Sequence, residues 1–462
     1  MTTNFDKPRP SALLSMRHET IALLRLGLPV IGSQLAQIAM NFVDTVMAGN
    51  LGARALAAIA VGGSLWMTVA IFIMGTMMAV TASVAHLFGA QKKREVGQFV
   101  RQALWVSQGL ALICFLLVRN ADPILYWLEI DPEIIPITLG YVDAISWGLP
   151  ALCGFIVLRY SSEGVSMTRP AVFIGLIGLV VNILGNYVFM YGRLGVPAMG
   201  AVGCGWASAL VMWIMFLSMT VYISIQKHYR QFAIFDRFDW PQIAQIRGII
   251  KLGLPIGISV FLEASLFATV SLLMGSMGTN VVAGHQVAIN IASISFMIPL
   301  GLSMAITVRV GQAVGRGSML AARRAGFVGV SIALVFMGAA AIVLLLIPET
   351  IVGVYTNDAR VTSIAVELLF MAAIFQLSDG AQVAGAGALR GLKDTTVPMI
   401  ITFIAYWGIG LPLGYTLGIT RSMGPQAIWI GLIGGLTVAA ICLNVRFYFV
   451  TRRLLTEASS LG

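Results

Sequence analysis

Twelve mostly apolar stretches follow one another along the chain, near residues 24–48, 56–88, 96–118, 134–158, 166–192, 198–225, 248–275, 281–310, 323–347, 361–389, 395–419 and 425–450. A helix needs about 20 such residues to cross the hydrocarbon of a bilayer, so each stretch is a predicted transmembrane helix. The predicted fold class is all-α: a polytopic membrane protein of twelve transmembrane helices. Composition agrees, with 58% hydrophobic residues and only 10% charged, where a soluble domain carries roughly 25% charged. The mean hydropathy is +0.90.

A formal charge of +10 on a soluble protein would suggest nucleic acid. Here the basic residues sit in short gaps between apolar runs, where loops meet anionic headgroups, so the expected partner is the lipid bilayer and not nucleic acid. Of the 29 Lys and Arg, only Arg54, Arg119, Arg193, Arg360 and Arg421 fall on one side of the predicted bundle. Acids gather on that side, as in Asp122, Glu129, Asp131, Glu133 and Asp358. The asymmetry predicts that both termini are cytoplasmic. The opening from Met1 to His18 is polar, with Lys7, Pro8, Arg9 and Pro10. It does not read as a signal peptide, and the first span is expected to serve as the insertion signal. Cys114, Cys153, Cys204 and Cys442 lie in apolar runs without CxxC spacing and are expected to be small buried side chains rather than metal ligands.

The chain divides at a polar gap from Gln226 to Arg247, and the halves repeat. Offset by 226 residues, Leu26-Gly27-Leu28-Pro29 falls on Leu252-Gly253-Leu254-Pro255. In the same ungapped register Gly49, Gly52, Gly75, Thr81 and Gly89 fall on Gly275, Gly278, Gly301, Thr307 and Gly315. With a gap of a residue or two, Gly164 then falls on Gly391 and Pro170 on Pro398. Six spans per half is an even number, so both halves face the same way, related by a pseudo-two-fold axis along the membrane normal. The expected organisation is an N-terminal segment (1–20), an N-lobe (21–225), a cytoplasmic linker (226–247), a C-lobe (248–450) and a tail (451–462). Transporters built from parallel repeats bind substrate near the midplane between lobes and work by rocking one lobe against the other.

An ionisable side chain at membrane depth is costly and marks function. On span 1, Gln34, Gln37, Asn41 and Asp44 are spaced three, four and three residues apart, which puts all four on one helical face. On span 7, Glu263 has Ser259 one turn before it. On span 10, Asp379 is flanked by Gln376 and Gln382. No Lys or Arg is expected at that depth, and a carboxyl group without a cationic partner there can take up a proton or coordinate a small cation. Asn182 and Asn186 on span 5, and Gln286 and Asn290 on span 8 followed by Ser293, form amide stripes that fit either a cavity wall or interhelical glue. Asp143 and Glu367 lie nearer the outer ends of their spans and read as structural or mouth-lining, and His285 as a satisfied polar group. Met residues (23) and aromatic groups such as Trp66, Trp147, Phe267, Phe296 and Trp407 would suit flat lipophilic cations. No GxxxxGK[ST], HExxH, nucleophile elbow or TVGYG filter occurs, so neither an ATP-driven pump, an enzyme nor a potassium channel is expected.

The segment Asn41-Phe42-Val43-Asp44-Thr45-Val46-Met47-Ala48-Gly49 resembles the first-span signature of multidrug and toxic compound extrusion (MATE) transporters, NorM branch. So do Phe261-Leu262-Glu263-Ala264-Ser265-Leu266-Phe267, and Val308-Arg309-Val310-Gly311 with Gly315. The runs Gln376-Leu377-Ser378-Asp379-Gly380-Ala381-Gln382 and Gly387-Ala388-Leu389-Arg390-Gly391-Leu392-Lys393-Asp394 are similar to the span-ten signature, and Asn182 and Asn186 with Tyr187, Tyr191 and Gly192 to the fifth-span pattern. The resemblance covers the whole chain. It implies an antiporter of two six-helix lobes around a V-shaped cleft in a bacterial inner membrane, exporting small-molecule drugs and organic cations in exchange for H⁺ or Na⁺, with no cofactor; a monomer is expected. It implies Glu263 and Asp379 as the cation-coupling pair, metal ligands only if Na⁺ is the ion. It implies Asp44, Asn182 and Asn186 in drug binding or proton coupling, and the amides Gln37, Asn41, Gln286, Asn290, Gln376 and Gln382 are placed with them. Some members carry Tyr where this chain has Phe375, and a phenyl ring offers no oxygen to Na⁺, which favours H⁺. The rivals are a flippase for a lipid-linked oligosaccharide, which would need a strongly cationic cavity, and an intramembrane transferase, which would need a nucleophile–base pair at membrane depth.

Overall fold

The computed structural model describes residues 12–127 and 130–460. The expected N-terminal stretch before Ala12, including Lys7, Pro8, Arg9 and Pro10, and the acid Glu129 lie outside the described residues. Among those described, eleven helices are long and apolar enough to cross a membrane. The twelfth span is a pair, Ile135–Ser146 and Leu149–Gly164, bent by 46° at a short break. Pro150 enters the second helix of the pair in its first turn, where its missing N–H costs nothing. Numbered in chain order, the spans are 1 (Ala12–Gly49), 2 (Ala53–Gly89), 3 (Lys93–Arg119), 4 (the bent pair), 5 (Arg169–Tyr191) and 6 (Ala201–Ile225). The second half holds 7 (Ile243–Ser276), 8 (Thr279–Gly315), 9 (Met319–Leu346), 10 (Ala359–Gly391), 11 (Thr396–Thr420) and 12 (Pro425–Ser460). Helix therefore extends into the flanking segments, at residues 12–20, 243–247 and 451–460.

Small residues carry the packing between the halves. In lipid no hydrophobic force draws helices together, so close backbone approach through glycine supplies the contact. The repeat partners meet reciprocally. Gly89 packs on the Gln312 carbonyl and Gly315 on that of His86; Gly75 packs on Gly257 and Gly301 on Ile31; Gly27 packs on Leu302 and Gly253 on Thr76. Each of these pairs of contacts exchanges under the 226-residue offset, which is a pseudo-two-fold axis observed directly. Two hydrogen bonds obey the same relation: His86 Nε2 lies 2.6 Å from the Gly391 carbonyl, and Gln312 Nε2 donates to that of Gly164 at 2.9 Å.

These contacts join the beginnings of spans 1 and 7 to the ends of spans 2 and 8, at the end of the bundle that bears both termini. At the opposite end the same helices separate. A Cβ added to Gly49, Gly52, Gly63, Gly275 or Gly278 would meet nothing within 4 Å. The lobes thus form a V, closed at the terminal end and open at the other.

The polar segment between the halves is docked, not free. Arg101 of span 3 bonds Asp239 at 2.6 Å and the carbonyl of Ile234 at 3.0 Å, while Gln102 bonds the Trp240 carbonyl and the Gln242 amide. Phe232 is fully buried against the N-lobe. Gly89→Val, which drives a side chain into the Gln312 backbone, should open the seam. Spin labels at Lys92 and Arg316 in a cysteine-free background should then move apart, whereas an unchanged distance would show that the seam does not depend on this contact.

Candidate functional site

The apex of the V holds a cavity of about 410 Å³ between the lobes, within the size range of small-ligand sites. Spans 1, 2 and 4 line one side with Gln34, Met74, Met78, Arg159 and Tyr160. Spans 7, 8, 10 and 11 line the other with Glu263, Phe267, Phe296, Asp379, Gln382, Arg390 and Thr402. Two of the expected wall aromatics, Phe267 and Phe296, are therefore in place.

The two carboxylates expected to couple a cation lie on this one wall, within electrostatic reach of each other. Asp379 is buried, and its Oδ1 has no hydrogen-bond partner. Around it stand three more buried groups in the same condition: both amide atoms of Gln376, Oε1 of Gln382 and the hydroxyl of Tyr406. Unpaired buried polar atoms are rare in folded proteins and ask for an explanation. Four of them beside a carboxylate pair suit a site whose oxygens exchange a proton or a small cation. Tyr406 lies within electrostatic reach of both Glu263 and Asp379. It sits in a π-helical segment of span 11, Ile404–Gly410, a geometry frequent at functional sites. Phe375, one turn before the acid, packs edge-on against Phe267 (5.9 Å) and Trp429 (5.7 Å). A phenol, that of Tyr406, stands within electrostatic reach of the pair from a different helix, which no motif around Asp379 could reveal.

The expectation that no base reaches this depth is corrected. Arg390 is buried, lines the cavity within electrostatic reach of Glu263, and donates to Ser303 Oγ at 3.1 Å while lying 2.6 Å from Met78 Sδ across the seam. Arg159 is equally buried, held by Glu163 at 2.9 Å, by Ser33 and by Gln34. Both arginines lie in segments that read as the polar ends of spans, but the long side chains reach inward from them. Glu163 escaped notice for the same reason. It and Arg159 are i and i+4 on one helix, a spacing legible in the sequence as a built-in ion pair.

The span-1 acid belongs to a separate cluster. Asp44 Oδ1 accepts hydrogen bonds from Asn182 (2.9 Å) and Asn186 (2.6 Å), with the Cys204 thiol beside it. These residues are held within the N-lobe and do not line the cavity. Gln37 and Asn41 are exposed on the same helix face, and Gln37 occupies the repeat position of Glu263. Gln286 and Asn290 are likewise exposed, and the Asn290 Oδ1 accepts from the Tyr355 hydroxyl at 3.4 Å. Each stripe therefore reaches the apical cavity only at its end nearer the seam, through Gln34 on span 1 and Ser293 on span 8, while Gln37, Asn41, Asp44, Gln286 and Asn290 do not line it.

Other expectations resolve simply. His285 is buried between Ser271 (3.2 Å) and Trp429 (3.3 Å). Asp143 pairs loosely with Arg119 at 3.6 Å, and Glu367 bonds Gln426. Three cysteines are buried, but Cys442 is exposed on span 12, where the surrounding solvent is lipid.

The MatE family model matches twice, over residues 29–188 and 255–416. The chain belongs to the MatE family. The two matches begin 226 residues apart, the same offset as the glycine repeat. The chain is 44% identical over 449 residues to the multidrug resistance protein PmpM of Pseudomonas aeruginosa, covering 96% of this chain and 94% of that protein. It is 41% identical over 438 residues to the multidrug resistance protein NorM of Aliivibrio fischeri, covering 94% and 95%. Among solved structures, the eukaryotic MATE transporter AtDTX14 matches with a TM-score of 0.86 at 17% identity, covering 96% of this chain and 99% of that one. This MatE protein is a multi-pass membrane transporter of the twelve-helix fold, and not an enzyme.

The Arg159–Glu163 pair is nine-tenths buried on both sides. Removing one partner of such a pair leaves an uncompensated charge and costs roughly 3–5 kcal/mol. Glu163→Ala should therefore lower the melting temperature in detergent markedly, and Arg159→Met/Glu163→Leu together should restore much of it. A single variant as stable as the parent would contradict the pairing.

Proposed function

We propose that this transporter exports cationic and amphiphilic drugs and dyes, resembling fluoroquinolones and ethidium, in exchange for inward H⁺ or Na⁺, with H⁺ favoured. The observation that carries the proposal is the carboxylate pair Glu263 and Asp379 on the wall of the inter-lobe cavity, with buried oxygens around Asp379 that have no partner. Arg390 offsets one negative charge there. The other carboxylate is neutralised by a proton, or by Na⁺ held between Glu263, Asp379 and the oxygens of Tyr406, Gln376 and Gln382.

Exchange follows from competition and from lobe motion. With its carboxylates free of cation, the cavity is acidic and walled by Met74, Met78, Met297, Phe267 and Phe296, a surface suited to a flat lipophilic cation. Entry of the coupling cation removes the charge that holds the drug. The cation must also bind one lobe arrangement better than the other, since equal affinity would shift nothing. The glycine seam is the contact that breaks when the V reverses, and the docked linker moves with the N-lobe. Asp44, with Asn182 and Asn186, forms a second polar centre where a drug or a proton binds in the N-lobe. Both termini face the cytoplasm, as the distribution of Lys and Arg directs, and the membrane is the bacterial inner membrane. The protein works as a monomer, because one chain supplies both walls of the cavity.

A flippase for lipid-linked oligosaccharide is less favoured. Its pyrophosphate would need a cationic chamber, whereas Glu263 and Asp379 line this one with Arg159 and Arg390, and Glu163 already compensates Arg159. An intramembrane transferase is not favoured by any pair of groups in the cavity.

Asp379→Asn keeps the size of the side chain and removes its charge. In proteoliposomes it should reduce ethidium efflux to the rate of protein-free vesicles while retaining the parental melting temperature. Efflux at the parental rate by this variant would refute the assignment.

A further inference from the structure

A second cavity, of about 650 Å³, lies at the terminal end of the N-lobe, away from the apical site. Its lining carries His18 and Arg25 from span 1, Arg169 at the start of span 5, His228 from the linker, and Arg309 from span 8. The acid beside it, Glu19, is consumed in a two-point ion pair with Arg309 (2.6 and 2.7 Å). Arg25 and Arg169 are exposed and enter no ion pair among the described residues. Thr168 and Pro170 also line the pocket, so the N-terminal amides of a 23-residue helix open toward it and add partial positive charge. Apolar side chains continue from this cluster toward the bundle middle. Ile21 and Leu28 are exposed on one face of span 1, and Phe173 follows Arg169 by one turn on span 5.

A cationic pocket with exposed apolar side chains beside it matches one kind of molecule, a phosphate headgroup with acyl chains. We propose that this pocket is a binding site for an anionic phospholipid, with the phosphodiester held by Arg25 and Arg169 and the chains lying along Ile21, Leu28 and Phe173. Basic pockets between spans at the headgroup level are the usual form of such sites. The site lies on the terminal end, where the loops are basic, so the headgroup is in register with the membrane surface. Arg309 of the C-lobe lines the same pocket and is tied to Glu19 of span 1, so the lipid sits beside a contact between the lobes where they are closed. Its occupancy favours that arrangement over the reversed V.

The test is native mass spectrometry of the full chain in detergent, titrated with dioleoyl phosphatidylglycerol, dioleoyl phosphatidylcholine or inorganic phosphate. Phosphatidylglycerol should bind in preference to phosphatidylcholine. Arg25→Gln/Arg169→Gln should weaken its binding about tenfold or more, since each basic contact near a headgroup counts for about a kcal/mol. Lys92→Gln/Arg94→Gln, an equal loss of charge at the same end, should bind as the parent does, and Arg25→Lys/Arg169→Lys should keep the preference. Equal weakening by both neutralising pairs would reduce the site to diffuse surface charge and overturn the proposal, as would no weakening at all. Inorganic phosphate that binds and excludes phosphatidylglycerol would overturn the lipid in favour of a soluble anion. None of these readouts depends on drug transport.

Discussion

The structure depends on a seam of glycines. Spans 1, 2, 7 and 8 touch through Gly27, Gly75, Gly89, Gly253, Gly301 and Gly315, and each contact has its counterpart under the internal repeat. In hydrocarbon, backbone proximity is what holds helices together, so a strip of small residues decides where two apolar lobes adhere. Above that strip the equivalent glycines face open space, and the V begins. The cavity with Glu263, Asp379 and Arg390 sits at the level where contact gives way to separation. Its position is a consequence of where the small residues stop.

That level is also where charge is expensive. Three carboxylates, Glu163, Glu263 and Asp379, and two arginines share the apex, in a region with little water to screen them. Glu163 answers Arg159 within one helix, and Arg390 answers Glu263 on the same wall of the cavity. Asp379 keeps an oxygen without a partner, next to Gln376, Gln382 and Tyr406 in the same state. Two answered arginines with one acid left over differ from both a sealed ion-pair network and a phosphate chamber. It is the arrangement in which binding a single small cation changes the net charge of the cavity most.

Most of the fold was legible in the chain. Hydropathy separates twelve spans because each must match the bilayer, and the repeat was readable because glycines such as Gly75, Gly89, Gly253, Gly301 and Gly315 at the seam between the lobes leave little room for a side chain. The bend in span 4 and the π-helical turns of span 11 were not readable, since both arise from packing that local sequence does not encode. Of the site, Glu263 and Asp379 stood out as acids in apolar runs. The grouping of Asp44 with Asn182 and Asn186 followed from motif resemblance rather than from spacing, and it places them apart from the cavity. Arg390, Glu163 and Tyr406 were hidden. The first two lie near span ends, where charge is ordinary, and a tyrosine in an apolar run gives no sign that its hydroxyl will be left unbonded.

The central claim is that a cation at the apical carboxylates drives export. Purified protein in vesicles loaded with ethidium, with a proton gradient and a sodium gradient imposed separately, tests it most directly. The account predicts efflux under the proton gradient alone. Efflux only with sodium would contradict the choice of ion, and efflux with neither gradient from well-folded protein would contradict cation coupling itself.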